Sequence, residues 1–397
     1  MFRRLTVAAA IPAWQTWAVS LRRRTNGPII VGNQALGVRD CEASKMTICD
    51  FIGSFDPNSR SRAAAGEVLS FLDHCGAHVA FSYVTGSKTW DQATTLKELG
   101  ITLATVSFNA FMFRRPVYRG DILIVNGTVI YAGDTSIGVH LDVGRQSYDS
   151  STPTNVGESV MTMVCVSLSD VGSVMKGHVP ALRISSPVDK NRYESFCTMR
   201  SITKALQREN EETNIEMTCI EDEINCGKPV KVAIDDTKTY CNHFYRPTDV
   251  NLNNTVFGGN ILYWMEENAR HCGRLFVGSP HVCTIGMHDM VFGNPLYTTD
   301  CPTVVTKVVY VRNTTMEVDV EMTVERNGMF VASNRASFVL LNMDANGKGV
   351  PIPKGIDLEK STLEDRKAYA RARRRYNYSL EARKEGTLHF ESRCGVD

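Results

Sequence analysis

The chain contains an internal duplication, which constrains its fold more than any other feature. The segment Phe113–Asp121 (FRRPVYRGD) recurs 179 residues later as Phe292–Asp300 (FGNPLYTTD). At the same offset, without a gap, Val129–Val139 lies over Val308–Val318. The two copies have proline, tyrosine, aspartate and a threonine-bearing turn at matching positions. A chain of 397 residues with such a repeat is predicted to contain two copies of one structural unit.

Composition narrows the possible partners. The 44 Lys+Arg residues nearly balance the 43 Asp+Glu residues, so no nucleic-acid partner is expected. No run of about 18 apolar residues exists, so no membrane span is expected. The 12 cysteines show no Cys-x-x-Cys pair and no zinc-type spacing with histidine, which predicts reduced, apolar side chains and no metal site.

The first forty residues differ from the rest of the chain. They contain several arginines, and the first acidic residue is Asp40. An arginine-rich, acid-free start is typical of a mitochondrial transit peptide. We therefore expect residues 1–40 to be such a peptide and the protein to lie in the mitochondrial matrix. A disordered basic tail is the alternative.

Each copy is predicted to be one long helix followed by an antiparallel meander. Apolar residues at helical spacing predict helices from about Gly66 to Tyr83 and from about Gly259 to Phe276. Runs of β-branched residues predict four strands in each copy. These are Leu103–Phe111, Ile122–Tyr131, Ser136–Val143 and Ser159–Leu168, then Cys283–Phe292, Val304–Tyr310, Glu317–Val324 and Val331–Asn342. Because a lone meander leaves a sheet edge open, the copies should cover each other as an intramolecular dimer.

The units are predicted to span residues 45–185 and 238–353. Residues 186–237 are charged and predict a linker with a helix near Tyr193–Gln207. Residues 354–397 form a charged tail, in which acidic residues flank the arginines. That mixture favours a solvated helix over a nucleic-acid patch.

The second predicted helix opens on a glycine pair. Gly258 and Gly259 follow Asn251 after six intervening residues. A helix start presents free backbone N–H groups and the positive end of the helix dipole. Such a site can hold a developing oxyanion.

The chain resembles the acyl-coenzyme A thioesterases of the hotdog-fold superfamily, most closely the mitochondrial branch with two tandem hotdog domains. The resemblance covers about residues 45–180 and 238–353. It is carried by the Asn-x(6)-Gly-Gly segment, the helix start Gly66–Asp73 and the Pro-x(4)-Asp strand openings. It implies an α+β fold, a tandem double hotdog in which each antiparallel sheet wraps around a long central helix and the two sheets join edge to edge.

The resemblance also implies a function. Acyl-CoA would be hydrolysed to a fatty acid and coenzyme A between the two hotdogs, without a metal or redox cofactor. One half would supply an asparagine and the helix-start amides, and the other an acidic residue from its central helix. Members of this family commonly assemble into trimers of double hotdogs, so a homo-oligomer is expected.

An offset of 193 residues superimposes the two helices and defines two pseudo-equivalent sites. The first would consist of Asp73 with Asn251, Gly258 and Gly259. The second would consist of Glu266 with Asn58, Ala65 and Gly66.

The two acids differ in their surroundings. Asp73 lies on an apolar helix face without a cation at i+3 or i+4, and burial without a partner raises the pKa of a carboxyl and makes it a better base. Glu266 has Arg270 at i+4, a standard helix ion pair. We therefore predict that the first site is active, with Asp73 as general base or as nucleophile. The second would be vestigial or a second place for coenzyme A.

Alternatives remain for individual residues. Asn251 could be a turn residue of an asparagine-rich loop. Arg114, Arg115 and Arg119 could bind the phosphates of coenzyme A or lie in a solvated loop.

Two other functions compete with hydrolysis. A hotdog enoyl-CoA hydratase or dehydratase needs a histidine beside the acid, but Asp73 and His78 diverge by roughly 140° on a helix. A non-catalytic acyl-CoA-binding subunit would keep the fold without the reaction.

Overall fold

The computed structural model describes six stretches of the chain, residues 27–53, 61–88, 98–167, 175–212, 222–251 and 253–384. Asn58 and the arginine-rich start up to residue 26 lie outside the described residues. Within the described stretches the chain forms two units of helix and antiparallel sheet. The predicted α+β class is therefore confirmed.

The first unit has the long helix α2 (Ala65–Thr85), which follows a short helix α1 (Cys41–Ser44). Its sheet contains the strands β3 (Met46–Phe51), β4 (Ile101–Phe108), β5 (Phe111–Met112), β6 (Ile122–Ala132), β7 (Ser136–Gln146), β8 (Thr154–Ser167) and β9 (Met175–Lys176). A separate small sheet contains β1 (Ile29–Val31), β2 (Val38–Asp40) and β10 (Ala181–Ile184).

The second unit follows a linker that contains the helices α3 (Pro187–Glu212) and α4 (Glu223–Cys226). Its long helix is α5 (Gly258–Val277). Its strands are β11 (Val230–Val232), β12 (Thr239–Asn242), β13 (Val282–Phe292), β14 (Thr303–Val311), β15 (Thr315–Arg326), β16 (Met329–Asn342) and β17 (Lys354–Ile356). Strands β11 and β17 pair with each other, and helix α6 (Leu363–Lys384) ends the described chain.

Both predicted central helices and all eight predicted strands are present, with ends displaced by a few residues. The two units share one sheet in the order β12-β14-β15-β16-β13-β4-β8-β7-β6-β3, with β5 and β9 paired beside it. The seam lies between β13 and β4, where Met290 pairs with Phe108 and Val291 with Ser107. This edge-to-edge junction removes one free edge from each unit.

The two central helices cross near their starts. A Cβ on Gly66 would lie 3.0 Å from the Cα of Tyr263, so the backbones approach closely there. The apolar faces of both helices are buried against the shared sheet, including Leu69, Leu72 and Met265, each 0% exposed. This crossing brings the first two turns of each helix beside those of the other. No helix in the described stretches is both long and apolar enough to cross a membrane.

The predicted boundary at residue 40 runs into folded structure. Ile29–Val31 pairs with β10 in antiparallel orientation, and Val38–Asp40 pairs with the same strand in parallel orientation. A removable segment that leaves this sheet intact has to end before Ile29.

The expectation that the C-terminal helix is solvated is wrong. In α6, Ala368, Tyr369 and Ala372 are at most 1% exposed. Arg375 Nε donates to Glu317 Oε1 at 2.8 Å, beneath the helix on strand β15. A carboxylate on the outward face of a buried strand needs a cationic partner, and the helix supplies it.

Candidate active site

Asp73 lies in the middle of helix α2 and is 0% exposed. Thr105 Oγ1, on strand β4, donates to Asp73 Oδ1 at 2.9 Å. Burial raises the pKa of Asp73 to about 6, while the Thr105 hydroxyl and the Gly259 amide lower it in part. Asp73 Oδ2 is buried and has no hydrogen-bond partner among the described residues. The site therefore holds a carboxyl with one anchored oxygen and one unpaired oxygen.

The start of helix α5 faces this carboxyl from the second unit. Helix α5 begins at Gly258, and the side chain of its N-cap residue, Phe257, makes no capping hydrogen bond. A Cβ on Gly258 would lie 2.9 Å from Asp73 Oδ2, and a Cβ on Gly259 would lie 2.7 Å from Ser70 Oγ. No larger residue fits at either position without displacing the carboxyl or helix α2. The structure thus brings together Asp73, Gly258 and Gly259.

Asn251 organises the loop that leads into helix α5. Its Oδ1 accepts hydrogen bonds from the Asn253 amide at 2.8 Å, and from the amide and hydroxyl of Thr255 at 3.3 and 3.1 Å. This is the turn-forming role that we considered as the alternative for this residue. The Nδ2 group of Asn251 makes no hydrogen bond within the described stretches, so it is the part of the side chain that can bind a ligand.

Asn253, which the sequence analysis missed, attaches this loop to the first unit. Its Nδ2 donates to the Leu103 carbonyl oxygen at 3.1 Å, and its Oδ1 accepts from the Thr102 hydroxyl. Both partners lie on strand β4, two or three residues before Thr105. The loop of one unit is therefore held beside the strand that anchors the acid of the other.

Thr105 was also missed, although the repeat contained a signal for it. The offset of 179 residues that aligns the strands places Thr105 over Thr284. Thr284 Oγ1 donates to Glu266 Oε1 at 2.5 Å, as Thr105 does to Asp73. A β-bulge follows each threonine. Bulges redirect side chains beside functional sites, and here both threonines meet a buried acid.

The second pseudo-site is assembled from the opposite halves. Glu266 is 0% exposed, and a Cβ on Gly66 would lie 3.3 Å from its Oε2. Burial raises the pKa of Glu266, but the positive charge of Arg270 opposes this. Arg270 Nε lies 3.7 Å from Glu266 Oε1, and the same guanidinium pairs with Glu267. The predicted ion pair at i+4 is therefore present, whereas Asn58 lies outside the described residues.

A cavity of about 650 Å³ lies between the first turns of helices α2 and α5. It borders the active-site candidate through Ser70, whose hydroxyl lies against the backbone of Gly259. Its walls combine aromatic rings with polar groups. The lining residues are Glu67, Ser70, His243, Phe244, Arg246, Asp249, Asn260, Tyr263 and Trp264.

The three arginines proposed for coenzyme A occupy different environments. Arg114 donates to Asn155 Oδ1 at 3.0 Å and to Glu158 Oε1 at 2.7 Å, so its guanidinium is already engaged. Arg119 Nη2 lies 3.4 Å from Glu67 Oε1, at the margin of the cavity, and its side chain is 42% exposed. Arg115 makes no hydrogen bond or ion pair with the described residues.

Residues 64–147 and 253–330 match the family model of the thioesterase superfamily, once in each unit. The uncharacterized acyl-CoA thioester hydrolase YkhA of Bacillus subtilis is 32% identical over 143 residues, which cover 33% of this chain and 77% of that protein. The chain belongs to the thioesterase superfamily.

The chain is also similar to two further proteins. Protein VdlD of Helicobacter pylori is 27% identical to this thioesterase over 122 residues, 30% of this chain and 69% of that protein. An acyl-CoA hydrolase from Staphylococcus aureus, solved with butyryl coenzyme A, coenzyme A and coenzyme A disulfide, is 22% identical with a TM-score of 0.36. The match covers 40% of this chain and 94% of that one. The predicted enzyme class, a thioesterase, is confirmed by the family membership.

Proposed function

We propose that this thioesterase hydrolyses acyl-CoA to a carboxylic acid and free coenzyme A at the site formed by Asp73 and the start of helix α5. One observation carries the proposal: a fully buried carboxyl with a raised pKa faces the first amides of a helix from the other unit. A relative described as an acyl-CoA thioester hydrolase supports coenzyme A as the thiol.

In the proposed reaction, the amides of Gly258 and Gly259 bind the thioester carbonyl oxygen and stabilise the negative charge that develops on it. Asp73 accepts a proton from a water molecule, whose oxygen forms the new bond to the carbonyl carbon. The carbon–sulfur bond then breaks, and the leaving thiolate takes the proton from Asp73. Thr105 positions the base by holding its Oδ1, and the Asn251 Nδ2 group orients the water or the carbonyl.

Direct attack by Asp73 is the second route within this proposal. Oδ2 would attack the carbonyl carbon, the carbon–sulfur bond would break and release the coenzyme A thiolate, and water would then cleave the resulting mixed anhydride. The two routes differ in where oxygen from the solvent appears. A single turnover in ¹⁸O-labelled water leaves label on Asp73 only if the anhydride forms and water attacks the Asp73 carbonyl.

The ionisation of Asp73 predicts the pH dependence of the reaction. The base has to be deprotonated, and its pKa is raised to about 6. Turnover should therefore be full above that pH and fall as the pH drops through about 6.

The cavity beside Ser70 is the proposed place for part of the substrate. Arg119 lies at its margin, and Arg246 lines it with a side chain that is 79% exposed. Exposed guanidinium groups can bind phosphate in a bidentate manner. The ion pairs of these two arginines with Glu67 and Asp249 are 3.4 Å long, whereas Arg114 is held at 2.7 Å by Glu158. We therefore assign the phosphate contacts of coenzyme A to Arg119 and Arg246 in place of Arg114.

The hydratase alternative needs a histidine that contacts the acid. His74, the neighbour of Asp73 in the chain, stacks on Phe257 and makes no hydrogen bond to the carboxyl. The geometry therefore favours hydrolysis.

The test is to incubate the purified protein with acyl-CoAs of several chain lengths and a reagent for free thiols. We expect thiol release that saturates with substrate. Binding of acyl-CoA without thiol release would contradict the enzyme proposal and leave the binding-subunit alternative.

The location in the mitochondrial matrix remains a prediction from the arginine-rich start. A fluorescent protein fused behind residues 1–28 should be imported into mitochondria. The predicted homo-oligomer is tested by the mass of the purified protein in solution, where a trimer would have three times 44.1 kDa.

A further inference from the structure

An aromatic stack joins the two units at the first site. The His74 imidazole, next to Asp73 on helix α2, stacks on the ring of Phe257, with centroids 4.0 Å apart and planes inclined by 25°. Phe257 is the residue immediately before Gly258 and the N-cap of helix α5. The stack therefore connects the neighbour of the acid to the neighbour of the helix-start amides.

The other side of the Phe257 ring is also occupied. A Cβ on Gly259 would collide with the ring edge, so the ring lies directly against the Gly259 backbone. The Phe257 amide donates to the Asp249 carbonyl oxygen at 2.8 Å. With His74 stacked on its face and Gly259 at its edge, the ring has little freedom, and the first turn of helix α5 is held with it.

His74 takes no part in a hydrogen-bond network among the described residues. Burial and the neighbouring His78 lower the pKa of His74, which keeps its ring neutral at neutral pH. The contact is therefore a stack of two uncharged rings, and such a stack can favour the ordered position of helix α5 by up to about tenfold. It is not a proton relay to Asp73.

The stack occurs in one of the two pseudo-sites. At the offset of 193 residues, Phe257 corresponds to Ala64 and His74 to Glu267. Ala64 is the N-cap of helix α2 and has no ring, and Glu267 pairs with Arg270. The second site therefore has neither partner of the stack.

We propose that His74 is a positioning residue, which through its stack on Phe257 holds the first amides of helix α5 against the Asp73 carboxyl. This inference rests on the proposed hydrolysis at Asp73. A small displacement of the oxyanion donors lowers the rate of the chemical step more than it weakens substrate binding. Loss of the stack should therefore affect kcat more than KM.

The test compares His74→Ala and His74→Phe, with Glu267→Ala as the matched change at the equivalent position of the other site. His74→Ala should lower kcat about tenfold and change KM less than about twofold, whereas His74→Phe, which can still stack, should retain kcat. Glu267→Ala should leave kcat unchanged. Phe257→Ala should lower kcat as His74→Ala does, and the double variant should lose no more than either single variant.

The pH profile separates positioning from a general loss of structure. The Gly259 amide lowers the pKa of Asp73. If His74→Ala releases that amide, the pKa of Asp73 should rise, and the acidic limb of the pH profile of kcat should move to higher pH.

Two results would overturn the inference: wild-type kcat in His74→Ala, or a loss in His74→Phe as large as in His74→Ala, which would point to the imidazole nitrogens. Failure of the proposed function has a different signature, because wild type itself would then release no thiol.

Discussion

The two pseudo-sites have the same frame but different chemistry. In each, a buried acid on a central helix accepts a hydrogen bond from a strand threonine and faces the start of the other helix. No cation of the described residues pairs with Asp73, whereas Arg270 lies against Glu266. The frame is thus a consequence of the duplication. We propose that single neighbouring residues decide which acid can serve as a base.

The starts of helices α5 and α2 also differ in a way that favours the first site. The first site has two glycines and the Phe257–His74 stack, and the second has Ala65 before Gly66. Ser70, small and close to Gly259, corresponds to Tyr263 in the other copy. Each difference makes the first site more open or better ordered. We interpret the second as a site that retains the duplicated geometry without the means to use it.

The largest effect is expected at Gly258. In Gly258→Ala the new methyl group would lie 2.9 Å from Asp73 Oδ2, in the space that we propose for the attacking water and the carbonyl. The rate of thiol release should fall by about 100-fold or more. The matched change in the other copy, Ala65→Gly, adds no atoms and should leave the rate within about twofold. Equal effects of the two changes would contradict the difference between the sites.

The second effect concerns stability. Burial raises the pKa of Asp73 from 3.8 to about 6, so the ionised carboxyl destabilises the folded protein by about 3 kcal/mol above that pH. The native state binds the extra proton between these two pKa values, and stability therefore falls as the pH rises through this window.

Asp73→Asn should raise the free energy of unfolding in urea at pH 7.5 by up to about 3 kcal/mol, and the gain should vanish near pH 4. Glu266→Gln should gain less, because the charge of Arg270 already offsets part of the cost of burying the Glu266 carboxylate. A stability of Asp73→Asn that is independent of pH would show that the carboxyl is not strained in the native state.

A smaller effect is expected at the threonines. The Thr105 hydrogen bond holds Asp73 Oδ1 and lowers the pKa of Asp73. Because Thr105→Val removes this bond, kcat should fall about tenfold, and the acidic limb of its pH profile should move to higher pH. Thr284→Val, the matched change beside Glu266, should leave both the rate and the profile unchanged. The comparison fails if the two variants shift the profile alike.

Much of this frame could be predicted from local patterns. Helical spacing and β-branched runs are read within a few turns of chain, and they located both central helices and the meander strands. The offset of 193 residues aligned the two helices, and the resemblance to the family paired Asp73 with Gly258 and Gly259, which do lie beside it. Such patterns predict the structure because both copies bury the same kind of helix against the same kind of sheet.

What the sequence did not reveal depends on distant contacts. A threonine in a strand is an ordinary strand former, so Thr105 stands out only once Asp73 is known to face it. Asn253 looks like any loop asparagine until strand β4 lies beneath it. Arg375 reads as a solvated residue, because its buried partner Glu317 is 58 residues away in sequence.

The most direct measurement compares the initial rates of thiol release from one acyl-CoA by wild type, Asp73→Asn and Glu266→Gln. If Asp73 is the base, Asp73→Asn loses about 1,000-fold, and Glu266→Gln stays within about threefold of wild type. An active Asp73→Asn, or an inactive Glu266→Gln that is still folded, would contradict the assignment of the active site to the first unit's acid.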